Sequence, residues 1–168
     1  MSDQELIALR LIHITFGVFW AGSAIFFAVI LQPRLETLEP AVRGQVMGAL
    51  IPVMGPVLLG SAAITIVAGL TLALRMHWGN LDIYIDTAWG RAISVGLVAS
   101  IGAISSGIIT VINANRMITL GRAVATGSAS PEEAGQMQRI GARLPRLARG
   151  TAVMVLVAIG AMASAEAL

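Results

Sequence analysis

The chain alternates between four long apolar runs, residues 6–31, 50–74, 88–112 and 148–165, and polar stretches that separate them. Each run reaches or approaches the roughly 20 apolar residues that an α-helix needs to cross a hydrocarbon core about 30 Å thick. A soluble domain of 168 residues has no use for four such runs. The pattern therefore predicts an all-α fold, a transmembrane four-helix bundle, since helices satisfy their own backbone where no water can. Four spans and one sizeable connection use up the length, so residues 1–168 read as a single transmembrane domain.

The local signals refine this picture. The first run lacks a basic segment before it and continues for about 26 residues, longer than the roughly 7 to 15 of a signal-peptide core, so it reads as a retained helix. Ser2-Asp3-Gln4-Glu5 has the capping-box pattern and starts that helix almost at the first residue. Pro52 and Pro56 stand near the start of the second run, where missing amide donors matter least. Small residues recur every four positions at Ser61, Thr65 and Gly69 in the second run and at Ala99, Ala103 and Gly107 in the third, flanked by Gly96 and Gly102. Such stripes let membrane helices approach closely, and spans two and three are expected to touch along them. Ser130-Pro131-Glu132-Glu133 is a second capping box with proline at the first helical position. A short cytoplasmic interfacial helix is expected to follow it, between helices 3 and 4. Met137, Ile140 and Leu144 would face the membrane while Arg139, Arg143 and Arg146 reach phosphates.

Composition agrees with a bilayer as solvent: 57% hydrophobic and 12% charged residues, against roughly 25% charged in soluble proteins. Mean hydropathy is +0.84. With no cysteine, disulfides and thiolate metal sites are excluded. All basic residues are arginine. Arg34, Arg43, Arg116, Arg122, Arg139, Arg143, Arg146 and Arg149 fall in or beside residues 32–49 and 113–147, whereas only Arg10, Arg75 and Arg91 fall on the opposite side. By the positive-inside rule the two arginine-rich loops are cytoplasmic and both termini outside, as in the inner membrane of a bacterium. Anionic lipid headgroups are the expected partners of these arginines. Nucleic acid is excluded, because the basic positions flank spans and lack interleaved aromatics.

Chemistry is expected in the half of the bundle that holds the termini. His13 lies about 10 Å into the first span, and an ionisable side chain at that depth is a functional-site hypothesis. Arg10 lies one turn outward on the same face, Gly17 one turn inward and Trp20 two turns inward. An axial nitrogen, a glycine clearance and an aromatic wall are what a flat macrocycle would use. His77, next to Met76 and Trp78 at the end of span two, is the second candidate ligand, although His13 sits about 5 to 10 Å deeper. Arg10, Arg75 and Arg91 could pair with propionates, since guanidinium matches a carboxylate bidentately. Plainer readings stand beside these. His13 could hydrogen-bond Ser94, Ser100 or a backbone carbonyl of another helix, His77 with Trp78 could anchor the interface, and Arg75 and Arg91 could pair with Asp82 and Asp86.

The first span, LIHITFGVFWAGSAIFF followed by QPRL, resembles the opening helix of the CopD-like and HemJ-like small membrane proteins over residues 10–35. In that pattern a histidine precedes a Trp-x-Gly step by two turns and a proline closes the helix; here these are His13, Trp20, Gly22 and Pro33. The resemblance implies a bundle whose first-helix histidine serves a cofactor or metal. For HemJ-like proteins that is haem b and protoporphyrinogen oxidation, and for CopD-like ones copper handling. The HemJ-like pattern also has a functional lysine in a later helix, and this chain has no lysine. The expectation is thus a haem b protein for electron transfer or haem handling, with His13 as first ligand and His77 second. Copper held by His13, His77 and Met76 is one alternative and a cofactor-free structural or accessory subunit another; the expected partners beyond lipid and cofactor are a second copy of the chain or a membrane redox protein.

Overall fold

The four long helices extend past the ends of their apolar runs. The computed structural model of the chain describes residues 3–77, 79–165 and 167. Its elements are α1 (Asp3–Phe26), a π-helical segment (Phe27–Leu31), α2 (Gln32–Glu36), α3 (Pro40–Met76), a short α4 (Ile83–Asp86), α5 (Ala88–Ala125) and α6 (Pro131–Ala165). The first three form one 34-residue helix, Asp3–Glu36, and this helix, α3, α5 and α6 are each long and apolar enough to cross a membrane. Ser2 of the expected N-terminal capping box, Trp78 and Glu166 lie outside the described residues.

The helix does not close at Pro33. It passes through the proline to Glu36, and the turn before it is wound as a π-helix in which the Gln32 amide donates to the Phe27 carbonyl. A proline removes an amide and crowds the carbonyl four residues back, and a locally widened turn relieves both. Pro52 and Pro56 sit inside α3 and Pro145 inside α6 without ending them. Pro52 and Pro145 have glycine four residues earlier, Gly48 and Gly141, where the backbone yields most easily.

At about 1.5 Å per residue the four helices are some 50 to 57 Å long, well beyond a ~30 Å hydrocarbon core. Much of the surplus lies at the arginine-rich end. There α3, α5 and α6 continue as helix through 40–49, 113–125 and 131–147, which the hydropathy pattern assigns to loops. The capping box at Ser130 forms as expected: the Glu133 amide donates to Ser130 Oγ at 3.2 Å and the Ser130 amide to Glu133 Oε2 at 2.8 Å. What it begins is α6 itself, unbroken to Ala165, and not a separate short helix before the fourth span. Ile140 and Leu144 consequently face inward, packing with Ile51 and Ala114, instead of toward lipid. Ser130→Ala is expected to cost about 1 kcal/mol and to speed amide exchange over the first turn of α6, readable by hydrogen-exchange mass spectrometry; unchanged exchange would count against the cap.

Neighbouring helices run antiparallel. Trp20 and Ala21 of α1, Ala62 of α3, Ala103 of α5 and Val155 of α6 meet in one central layer. Nearer the arginine-rich end Ala28 packs on Ala148 and Ala152. Spans two and three touch as expected, through Ala103 and Gly107, but most of the small-residue positions serve other helices. Thr65 and Gly69 receive Gly17 and His13 of α1, whereas Gly96 and Gly102 receive Met162 and Met154 of α6. Between α3 and α5 the contacts are Gly55 against Val111 and Gly107 against Leu59, with Ala62 and Ala103 in the central layer and Ile51 with Ala114 nearer the arginine-rich end. Two close pairs, α1 with α3 and α5 with α6, therefore build the end that carries the termini.

Candidate functional site

His13 is held by the α3 backbone. Its Nδ1 lies 2.8 Å from the carbonyl oxygen of Thr65. A carbonyl only accepts, so Nδ1 carries the proton and donates, leaving the lone pair of a neutral ring on Nε2. Among the described residues Nε2 has no hydrogen-bond partner, and no buried side-chain nitrogen lacks one, so Nε2 reaches the surface of the bundle. Of the partners the sequence allowed, the backbone carbonyl is the one used: Ser94 donates to the Tyr84 carbonyl and Ser100 to the Gly96 carbonyl. An Nδ1–H donated to a carbonyl with Nε2 turned outward is the common posture of a ligating histidine. It is equally the posture of an interhelical clip.

The clip is tight. A β-carbon at Gly69 would stand 2.6 Å from Cε1 and 2.8 Å from Nδ1 of His13. One turn along α1, a β-carbon at Gly17 would stand 3.3 Å from Cγ2 of Thr65. The clearance expected beneath the imidazole at Gly17 is thus filled by Thr65, and no macrocycle fits between α1 and α3 there. Trp20 is buried in the central layer against Ala62, Ala103 and Val155. Arg10, one turn outward from His13, is exposed.

His77 belongs to a different cluster. It follows Gly69, the residue against His13, by eight positions on α3, about 12 Å along the axis. There its ring packs on Trp89 at 4.7 Å and edge-on to Tyr84 at 5.9 Å between centroids. The Tyr84 hydroxyl lies 3.4 Å from His77 Nδ1 and donates to the Ala73 carbonyl at 2.6 Å, closing the end of α3. Burial raises the pKa of Tyr84 above the ordinary phenol value, which keeps that donor protonated. Tyr84 and Trp89 escaped sequence reasoning because only the fold-back of α4 brings them to His77. Met76 and Arg75 are exposed. Arg91 turns to the Ile85 and Asp86 carbonyls, at 3.3 and 3.4 Å, where it helps close α4. The structure therefore separates the two histidines into two layers and joins Arg91 to neither.

Among the described residues no three histidine, aspartate or glutamate side chains gather as a metal site. Between the helices lies a small crevice of ≈ 90 Å³, open on one side and bounded by Trp20, Phe27, Ile51, Leu59, Ala103 and Val111, and neither histidine lines it. A haem bridged by His13 and His77 does not fit this arrangement, because one iron needs both nitrogens at one level. A single imidazole ligand offered outward from His13 does fit. No family model, no curated protein and no solved structure matches the chain, so its chemistry is argued from these residues alone.

Proposed function

We propose that this integral membrane protein binds haem b through one protein ligand, Nε2 of His13, on the flank of the α1–α3 pair, for electron transfer or haem handling. The observation that carries the reading is the Nδ1–H donated to the Thr65 carbonyl, which fixes the ring and leaves Nε2 free to ligate. When bound, haem iron with one protein ligand supplies a redox centre with an open position. Arg10, exposed one turn outward, is the residue of this chain best placed for a propionate. The arginine-rich end supports a cytoplasmic location for residues 32–49 and 113–147 and puts the termini, and His13, toward the outside. No catalytic residue is assigned.

A second reading has its own observation. Because the imidazole fills the gap at Gly69 and Thr65 fills the gap at Gly17, His13 also serves as a polar clip in a cofactor-free accessory subunit. Copper would need His77 and Met76, a layer away from His13.

An optical spectrum of detergent-purified protein, made with adequate haem supply and recorded oxidised and reduced, separates these readings. The expected result is a Soret band with reduced α and β bands, lost in His13→Ala and retained in His77→Ala. Loss in both variants would restore a two-histidine site. A protein that stays colourless after haem titration would overturn the haem reading, and metal analysis of the same sample would then separate copper from the accessory subunit.

A further inference from the structure

The crevice between the helices is lined almost wholly by apolar side chains. Its two hydroxyl residues are already committed: Thr110 Oγ1 donates to the Ser106 carbonyl at 2.8 Å, and Thr151 Oγ1 lies 2.8 Å from Ser106 Oγ and 3.0 Å from the Leu147 carbonyl. Apart from the Trp20 indole N–H, what remains is apolar: Ala24 and Phe27 on one side, Met54 and Leu58 on another, Ala103 and Ile104 across from them. Along α3 it runs from Ile51 to Leu59, and along α5 from Val111 to Ala103, about 12 Å in each case. A small crevice lined this way favours hydrocarbon over a polar occupant.

The charge beyond the crevice says which hydrocarbon. Arg34 follows Phe27 by seven positions, Arg43 precedes Ile51 by eight and Arg116 follows Val111 by five. All three thus stand roughly 8 to 12 Å beyond the same end of the crevice, on three different helices. Among the described residues none of the three has a side-chain hydrogen bond or ion pair. Guanidinium groups without partners, set one headgroup's distance above an apolar slot, match a molecule with an anionic head and an apolar tail.

We infer that this crevice seats a segment of one acyl chain of an anionic phospholipid, with the headgroup phosphate held by Arg34, Arg43 and Arg116. The chain enters at the arginine-rich end and its far carbons approach Trp20, which lies at the deep end of the slot. The site is separate from His13 and does not depend on what His13 ligates.

Trp20 supplies the probe. The full chain, with Trp78→Phe and Trp89→Phe leaving Trp20 as the single tryptophan, is reconstituted in phosphatidylcholine vesicles holding a small fraction of phosphatidylglycerol. In one set the phosphatidylglycerol chains are brominated near their middle; in the other an equal amount of phosphatidylcholine is brominated instead. Brominated phosphatidylglycerol is expected to reach half-maximal quenching of Trp20 at a roughly fivefold lower mole fraction than brominated phosphatidylcholine. Ala24→Phe, which fills the slot, is expected to abolish the excess quenching, with Leu58→Phe as a second filling variant and circular dichroism to verify folding. Arg43→Gln with Arg116→Gln is expected to bring the two lipids to parity. Equal quenching by both lipids in the starting protein would overturn the proposal, as would excess quenching that survives both filling variants in folded protein.

Discussion

Gly90→Ala is expected to be among the most damaging single substitutions in this chain, lowering stability by about 3 kcal/mol or more, at or beyond the upper end for overpacking. Thr87 caps α5 by accepting from the Gly90 amide at 2.9 Å, and its hydroxyl donates back to the Ile83 carbonyl at 2.7 Å. Ser94, one turn on, donates to the Tyr84 carbonyl at 3.1 Å. These bonds draw the backbone of α4 onto the first turn of α5, so a β-carbon at position 90 would collide with the Ile83 carbonyl and the Tyr84 α-carbon. The obstacles are backbone atoms and cannot rotate away. The check is denaturant unfolding in micelles followed by far-ultraviolet circular dichroism. The same displacement would pull Tyr84 and Trp89 off His77, so tryptophan emission should shift with it. A loss below about 0.5 kcal/mol, the range of ordinary surface substitutions, would mean that α4 does not dock on α5 as described.

The second large effect is expected between positions 69 and 13. Gly69→Ala alone places a methyl where the imidazole lies, forcing the ring off the Thr65 carbonyl and separating α1 from α3, for a loss of about 1 to 3 kcal/mol. His13→Ala alone loses a hydrogen bond worth about 0.6, at most about 1.7 kcal/mol in a membrane, and leaves a void beside Gly69. Combined, the new methyl occupies part of that void, and the double variant should be more stable than the sum of the two losses implies. A coupling energy of about 1 kcal/mol or more is expected from the double-mutant cycle in micelles. Strict additivity would show that the ring does not lie against Gly69. If His13 ligates haem, Gly69→Ala should also weaken the optical spectrum without touching the ligand itself, because it removes the hydrogen bond that orients the ring.

The membrane class, the number of spans and the gathering of arginines at one end were legible in hydropathy and charge. Each follows from how residues partition between water and hydrocarbon, with no reference to neighbours. The Ser130 cap was legible for the same reason: its partners are three residues apart. Helix ends were legible only in part. Polar residues of 113–125 and 131–147 read as loop because a membrane scale registers depth, not conformation. They remain helical because Ile140 and Leu144 find Ile51 and Ala114 across the bundle. At Pro33 the sequence signals a stop, while a π turn, stabilised by Ala28 packing on α6, carries the helix through.

The candidate site divides along the same line. That His13 is unusual follows from a polar ring placed within an apolar run, a property of the chain alone. Which carbonyl it meets, that the glycine gap is filled by Thr65, and that His77 stands a layer away with Tyr84 and Trp89 all depend on which helices become neighbours. A stripe of small residues marks a face suited to close packing but carries no information about its partner, since glycine and alanine accept any surface of matching shape. Local chemistry and partitioning are thus written along the chain. The pairing of α1 with α3 and α5 with α6, and with it the slot beneath Trp20, comes from three-dimensional shape matching among helices whose apolar faces look alike in one dimension.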